Sequence, residues 1–156
     1  MPFIPTAATN PRQKNRFRVD IEGLEAAYVY SIKLPKVEAI TKEYRGGGEL
    51  YSAKYPVGMK ISDFELSKIM PADSMDYWAW NWLITVVDPD VQRIGVPSEY
   101  KKDIEVQHLN WLSVPIHTWY MAGAWPKIID YGEQGAEDLD KVIQGIVLSV
   151  ESCEEI

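Results

Sequence analysis

The chain has 156 residues, a formal net charge of −7 at pH 7 and 46% hydrophobic residues. This length fits one domain, and the hydrophobic content is sufficient for a buried core, which excludes a compositionally disordered chain. The acidic balance argues against a tight nucleic-acid binder, because such proteins use a basic patch to displace phosphate counterions.

The single cysteine, Cys153, excludes an intrachain disulfide and is consistent with assembly in a reducing cytosol. The first residues lack the charged and apolar regions of a signal peptide. No apolar run approaches the roughly 18 residues of a membrane span. We therefore expect neither a secretory leader nor a membrane anchor.

Residues 1–15 contain three prolines and predict a flexible N-terminal arm, with one domain in residues 16–156. The segment that follows the arm alternates between apolar and charged side chains, which predicts a half-buried strand. Its apolar residues are Phe17, Val19 and Ile21, and its charged residues are Arg16, Arg18, Asp20 and Glu22.

Further strands are predicted at 27–34 and 37–44, before a glycine-rich tip at 45–49. These glycines do not form a phosphate-binding loop, because no Gly-Lys-Ser/Thr ending and no helical pattern follow them. Extended structure resumes at 50–55 and leads to a predicted turn at Pro56-Val57-Gly58. The two arms around the glycines therefore predict a long hairpin.

The pattern of residues 59–69 predicts a strand whose alternation slips by one residue. Met59 and Ile61 share one phase, and Phe64 and Leu66 share the other. A one-residue bulge near Ser62-Asp63 would restore a single inward face.

A helix is predicted from Met75 to Val87, capped by Asp73 or Ser74 and ended by Asp88-Pro89. Its wide apolar surface indicates burial against a sheet. The expected core stripe consists of Met75, Trp78, Trp82, Thr85 and Val86, widened by Ala79, Leu83 and Val87. Trp80 is expected on the flank of the helix or at an interface.

Residues 88–103 are predicted as a loop, or a loop around a short strand. Strands follow at 104–112, which Pro115 interrupts, and at 116–121, which leads to a stop at Trp125-Pro126. A last strand runs from 142 to 151, with Ile146, Leu148 and Val150 on one face. Seven or eight strands and one helix predict a mainly β protein of the α+β type, as an antiparallel sheet, sandwich or barrel.

The sequence contains no recognisable catalytic or cofactor-binding motif. His108 and His117, the only histidines, are nine residues apart and need not share a face, so neither a metal site nor a catalytic pair is predicted. Six tryptophans and nine tyrosines leave a carbohydrate-binding or carbohydrate-cleaving domain as an alternative. We expect no enzyme activity, no cofactor and no metal.

Charge is distributed unevenly along the sequence. Arg12, Lys14, Arg16 and Arg18 form a basic N-terminal patch, whereas eight acidic residues and one basic residue follow from Asp130 onward. These can be ordinary solvated faces. They can also be complementary surfaces through which the basic end of one subunit meets the acidic end of another.

The ordered set of segments resembles the tail tube protein family of contractile-tailed bacteriophages, which is related to the tubes of type VI secretion and contractile injection systems. The resemblance covers about residues 16–152. The segments that carry it are Arg16–Leu24, Lys42–Gly48, Pro56-Val57-Gly58, Lys60–Lys68, the tryptophan-rich helix, Trp119, Ala124–Lys127, Asp138-Leu139-Asp140 and Ile146–Glu151.

The resemblance implies an antiparallel β-barrel or sandwich with a flanking helix. Six copies would form a ring, and stacked rings would form the hollow inner tube of a contractile tail. The implied partners are the tail sheath, baseplate, tail terminator and tape measure proteins, with DNA passing through the lumen without specific binding. The expected location is the virion, after assembly in the bacterial cytoplasm.

Two related functions stay open at this stage. The tube can belong to a protein-delivering injection system, or the chain can be another β-rich assembly protein such as a baseplate component or a terminator. The predicted inter-subunit contacts are Arg12, Arg16, Arg18, Arg45, Gly46, Gly47, Gly48 and Glu49.

Overall fold

The computed structural model describes residues 16–24, 29–48, 50–70, 77–132, 135 and 142–156. The predicted N-terminal arm, the capping residues Asp73 and Ser74, and the motif Asp138–Asp140 lie outside these residues. The described part contains eleven strands and two helices, which confirms a mainly β protein. The elements in chain order are β1 (Phe17–Ile21), β2 (Val29–Lys33), β3 (Val37–Tyr44), β4 (Ala53–Ile61), β5 (Phe64–Ile69), α1 (Trp78–Val86), β6 (Val87–Asp88), β7 (Arg93–Ile94), α2 (Pro97–Tyr100), β8 (Lys102–Leu109), β9 (Pro115–Asp130), β10 (Ile143–Ser149) and β11 (Ser152–Glu155).

Seven strands form one antiparallel sheet in the order β1-β8-β9-β10-β5-β2, with β11 added to β9. Strands β1 and β2 are the two ends of this path. Within the described residues the two ends do not pair with each other, so the sheet is not a closed barrel.

The 16-residue strand β9 joins two half-sheets. Its first part pairs with β8 on one side and β11 on the other, and its second part pairs with β10. Gly123, at a φ of +66°, lies where the pairing changes, in a conformation that a side chain would strain. The two half-sheets are therefore one continuous sheet that bends at β9.

The predicted strand end at Trp125-Pro126 is wrong, because β9 continues through both residues. Pro126 pairs with Leu148 at a register shift in the β9–β10 ladder. A bulge tolerates proline, since its missing N–H interrupts a ladder that is already irregular. The corner expected from the sequence is therefore a bulge inside a strand.

The core lies between the inward faces of the two half-sheets and is closed by α1. Its buried members are Ile21, Phe64, Leu66, Trp78, Ala79, Trp82, Ile104, Val106, Met121, Ala124, Ile146 and Leu148. The alternation predicted for β1 is confirmed, and Val150 packs against this core as expected. The last predicted strand divides into β10 and β11, because the chain leaves β10 after Ser149 and returns to β9.

The tryptophans of α1 divide as their spacing predicts. Trp78 and Trp82 are buried, whereas Trp80 is 42% exposed. Val87, expected beside the core stripe, is exposed because the helix ends at Val86 and Val87 begins β6. Thr85, expected in the stripe, lies in the last turn of α1 and is also exposed. The described part of the chain contains no helix that is long and apolar enough to span a membrane.

Strands β3 and β4 form a separate two-stranded sheet, which confirms the predicted hairpin. The predicted turn at Pro56-Val57-Gly58 is wrong, because these residues lie inside β4 at a register shift opposite Ile40 and Thr41. The predicted bulge at Ser62-Asp63 is also wrong, because these two residues separate β4 from β5. The change of phase marks the passage from the hairpin into the main sheet.

The loop at 88–103 contains the short β6–β7 pair and the single turn α2. Strand β8 ends at Leu109, earlier than predicted, because Asn110 Oδ1 accepts hydrogen bonds from the backbone N–H groups of Leu112 and Val114 in a tight turn. Pro115 then begins β9, where its fixed φ is tolerated.

Candidate functional site

The predicted contact residues lie on two separate elements. Arg16 and Arg18, which we call the basic strand end, lie on or beside the edge strand β1. Arg45 to Gly48 form the tip of the β3–β4 hairpin, and Arg12 and Glu49 lie outside the described residues. The predicted set therefore lies on two separate surfaces.

Arg16 takes part in the fold, because its Nη1 donates a hydrogen bond to the Trp111 carbonyl at 3.3 Å. Arg18 points to the outward face of β1, opposite Gln107 of β8. Arg18 is thus exposed, whereas Arg16 is half-buried and held against the turn between β8 and β9.

The β3–β4 hairpin is exposed over almost its whole length. Its tip carries two large apolar side chains, Leu50 and Tyr51, that are 84% and 85% exposed. A lone two-stranded hairpin is at best marginally stable in water. The exposed apolar residues of the tip were missed because the sequence did not show which strands leave the main sheet.

Acidic side chains cross the outward face of the half-sheet β1-β8-β9-β11, which also carries Arg18 in the row that it forms with Gln107 and Thr118. The register places Asp20 opposite Glu105, Glu105 opposite Tyr120, and Tyr120 opposite Glu154. Glu22 and Asp103 line the same cleft, whose volume is about 240 Å³. We call Asp20, Glu22, Asp103, Glu105 and Glu154 the acidic face.

Tyr120 is fixed in the acidic face by a hydrogen bond from its hydroxyl to Asp103 Oδ2 at 2.5 Å. This bond, with burial and the nearby negative charges, raises the pKa of Tyr120 because the phenolate would meet a carboxylate. Asp103 Oδ1 also accepts a hydrogen bond from the Gly123 backbone at 3.4 Å. The cleft is therefore anchored to the bend of β9.

An ion pair joins Lys101, which precedes β8, to Glu151, which lies between β10 and β11. Lys101 Nζ donates a hydrogen bond to Glu151 Oε1, and this bond raises the pKa of Lys101. The carboxylate of Glu151 also lies against Gly123, where a Cβ atom would clash with it. The pair therefore ties the C-terminal strand to the bend of β9.

His108 and His117 are direct cross-strand partners and so share a face, which the sequence separation did not indicate. His117 stacks on Trp119 with a centroid distance of 4.3 Å, and its Nε2 lies 2.6 Å from Glu155 Oε1. Trp119 packs against the core, and Trp125 makes an edge contact with Tyr100. Both tryptophans therefore pack against other side chains of the same chain.

No group of three potential metal ligands is found among the residues that the structure describes. The sequence is matched over residues 13–154 by the family model of the T4-like virus tail tube protein gp19. The chain belongs to the T4-like tail tube protein family. This confirms the family that the ordered motifs resemble and makes the protein a member of a structural family. No curated protein matches the chain.

Solved structures with the same fold come from the anti-feeding prophage and from an extracellular contractile injection system. A chain in the tube terminating cap of the anti-feeding prophage aligns with a TM-score of 0.79 and 19% identity over 98% of this chain and 95% of that chain. A chain in the sheath–tube complex of the PVC extracellular contractile injection system, in its extended state, aligns with a TM-score of 0.76. Its identity is 20% over 96% of this chain and 94% of that chain.

A more distant likeness links the chain to Hcp1 from Salmonella typhimurium, with a TM-score of 0.50 and 6% identity over 90% of this chain and 85% of that chain. At these identities the three structures show a shared fold. This chain and the three aligned chains therefore share one fold.

Proposed function

We propose that this tail tube protein forms hexameric rings that stack into the hollow inner tube of a contractile phage tail. The tube conducts DNA into the host and works by geometry and charge, without catalysis. The observation that carries the proposal is the combination of family membership over residues 13–154 with a row of acidic side chains on one face of the sheet.

The open sheet supports ring formation. Strands β1 and β2 end the main path, and each has one partner strand in the described part of the chain. An exposed strand edge presents N–H and C=O groups that can pair with another chain. Pairing between the β1 edge of one subunit and the β2 edge of the next would continue the sheet around a ring.

The β3–β4 hairpin supports stacking of the rings. It extends from the main sheet and leaves its apolar side chains in water, which is costly unless another subunit covers them. In the assembled tube the hairpin contacts the adjacent ring, and its glycine-rich tip, Gly46 to Gly48, adapts to that surface.

The acidic face is assigned to the lumen. The inward faces of the two half-sheets share one core, so their outward faces point in opposite directions. The outward face of the other half-sheet carries a mixture of charged, small and apolar residues: Lys33, Glu65, Val147 and Ile128 in one row, and Ser31, Ser67, Gly145 and Asp130 in the next. A negative lumen repels DNA phosphates and prevents adhesion during passage.

The solved structures that share the fold suggest further partners for this chain. A sheath–tube complex and a tube terminating cap are named for the solved structures that share the fold. For this chain we propose contacts with the sheath, baseplate and terminator, and a lumen that holds the tape measure protein and then DNA. The particle is a virion tail assembled in the bacterial cytoplasm.

Electron microscopy of the purified protein tests the tube. Hollow rings or tubes with sixfold symmetry are expected, and a monomer that persists at high concentration would contradict the proposal. A gold label tests the lumen in a Cys153→Ser background, which removes the native thiol. Gold on Asp20→Cys is expected along the tube axis, whereas gold on Glu65→Cys, the control on the opposite face, is expected on the outer wall.

A second candidate function is the inner tube of a protein-delivering injection system, which the fold shared with the PVC and anti-feeding prophage chains favours. Nuclease treatment of intact particles separates the two. A phage tail assembled on a filled head protects DNA from the nuclease, whereas an injection particle contains protein cargo and no protected DNA.

A further inference from the structure

A cavity of about 400 Å³ opens at the N-terminal end of α1. We call it the aromatic pocket, and the described residues that line it are Met70, Tyr77, Trp80, Tyr131 and Gln144. Its three aromatic side chains are 55%, 42% and 47% exposed, in that order. Small-molecule pockets measure about 300–1,000 Å³, so this cavity has room for a single ring system.

The aromatic pocket contains a buried hydrogen-bond acceptor that the fold leaves unused. Gln144 is 3% exposed, and its Oε1 has no hydrogen-bond partner in the part of the chain that the structure describes. A buried acceptor without a partner is destabilising because it has lost its bond to water. The terminal carboxamide can turn toward an occupant, since the torsion that orients it has a broad energy minimum. An occupant that donates a hydrogen bond is therefore favoured.

The chemistry of the lining favours an indole over a sugar. A sugar carries several hydroxyl groups, and each hydroxyl that is buried without a partner is costly. An indole has one N–H donor and no acceptor, whereas a tyrosine hydroxyl is an acceptor as well. The indole ring also gains from offset or edge contacts with other aromatic rings, such as those of the pocket. The occupant that fits best is therefore a tryptophan side chain.

Trp111 is an exposed tryptophan outside the aromatic pocket. Of the six tryptophans, all of which the structure describes, only Trp80 in the pocket and Trp111 are exposed. Trp111 is 70% exposed at the turn between β8 and β9. The turn is ordered, because Asn110 Oδ1 accepts two backbone hydrogen bonds and Arg16 Nη1 donates one to the Trp111 carbonyl. Since an ordered segment loses less entropy on association, this turn presents its indole ready for binding.

The strand order places Trp111 and the aromatic pocket at opposite ends of the main sheet. Strand β9 begins just after the Trp111 turn, whereas the pocket lies where β9 and β5 end and β10 begins. These three strands are antiparallel neighbours, so their ends at the pocket lie at the same end of the sheet. Trp111 does not line the pocket of its own chain, and the two features therefore complement each other between copies, in a head-to-tail contact.

The charges near the two features favour the same contact. Trp111 is bonded to Arg16 of the basic strand end. The sequence between Tyr131 and Gln144, which both line the pocket, contains four acidic residues and one basic residue. Opposite charges attract the two ends of different copies and disfavour contacts between like ends.

We propose that Trp111 of one copy inserts into the aromatic pocket of a second copy and donates its Nε1–H to Gln144 Oε1. The inference rests on the proposed tube and adds a specific contact between its subunits. Because the contact joins opposite ends of the sheet, it connects one ring to the next and gives the stacked tube a single direction.

Truncation of the inserted side chain tests the contact. Trp111→Ala should raise the critical concentration for tube formation by about thirtyfold or more, because an aromatic residue anchored in a pocket contributes about that factor to association. Leu112→Ala is the matched control, since it removes a 61% exposed apolar side chain from the same turn. It should stay within about twofold of the wild type, because contacts around such an anchor are nearly neutral. Light scattering and electron microscopy measure this concentration.

A double-mutant cycle tests the hydrogen bond. Trp111→Phe keeps an aromatic ring and removes the donor, and Gln144→Met keeps much of the volume and removes the acceptor. Each change alone should raise the critical concentration by about tenfold. The double variant should also lie near tenfold, because both changes remove the same bond. A product of the two effects, about a hundredfold, would overturn the inference, as would single variants that assemble like the wild type.

Thermal unfolding of the unassembled protein separates assembly from folding. Gln144→Met should keep or raise the thermal midpoint, because it removes a buried acceptor that lacks a partner. A midpoint that falls together with assembly would assign Gln144 a structural role and contradict the contact. If the wild type forms tubes and the cycle is additive, the inference alone fails. If the wild type forms no tubes under any condition, the proposed function fails and the inference fails with it.

Discussion

Replacing a buried and an exposed tryptophan of α1 by alanine should lower the free energy of unfolding by very different amounts. Trp82 is 2% exposed in the core, and its Nε1 donates a hydrogen bond to the Tyr100 carbonyl at 2.6 Å. Trp80, two residues earlier, is 42% exposed. Trp82→Ala and Trp80→Ala are therefore the same chemical change in opposite environments within one element.

The expected cost follows from burial. A tryptophan buries roughly 200 Å², and at about 25 cal/mol per Å² its removal costs about 5 kcal/mol. Large-to-small core substitutions of this kind cost about 3–5 kcal/mol. The Tyr100 carbonyl also loses its donor, which adds about 1 kcal/mol. Trp82→Ala should therefore lower the free energy of unfolding by about 4–6 kcal/mol, a large part of the typical stability of a domain.

Urea unfolding of the unassembled protein, followed by circular dichroism, measures this difference. Trp80→Ala should cost less than about 1 kcal/mol, because much of its side chain is already in water. The loss of unfolding free energy for Trp82→Phe should lie between those of the two alanine variants, since phenylalanine keeps most of the volume but loses the hydrogen bond. Equal costs for Trp80→Ala and Trp82→Ala would refute the orientation of the helix on the sheet.

Three further outcomes are expected. Gly95→Ala should lower the unfolding free energy by about 3 kcal/mol or more, because a Cβ atom there would lie 1.9 Å from the Thr85 carbonyl oxygen. The control Gly47→Ala should leave the thermal melting temperature unchanged, because a Cβ atom at Gly47 would meet nothing within 4 Å. The raised pKa of Tyr120 means that the folded state holds its proton more tightly, so stability should be full below about pH 10 and fall as the pH rises further. Tyr120→Phe should reduce the alkaline slope in unfolding measurements, and an unchanged slope would argue against the bond to Asp103. Reversing both charges of the basic strand end should weaken tube assembly in light scattering more than folding, and undiminished assembly would exclude it as a contact.

Local patterns in the sequence correctly predicted those elements in which the order of apolar and polar side chains reflects which face is buried. The alternation of β1 reflects one buried and one wet face, and the spacing of Trp78, Trp80 and Trp82 reflects a helix against a core. The three glycines after Tyr44 likewise marked the hairpin tip. In each case burial imposes a period of 2 or 3.6 residues on a continuous segment, so no distant partner is needed to recognise it.

The tertiary structure decided what depends on a partner strand. Pro126 reads as a strand end in isolation, but β10 provides a register shift in which its missing N–H is tolerated, and β9 continues. Asp20, Glu105 and Glu154 are far apart in sequence, and only the register across β1, β8, β9 and β11 gathers them around Tyr120. The sequence by itself therefore determined β1, the core face of α1, the hairpin and the family, whereas non-local strand pairing determined the extent of β9 and the acidic face, because register is a property of two chain segments together.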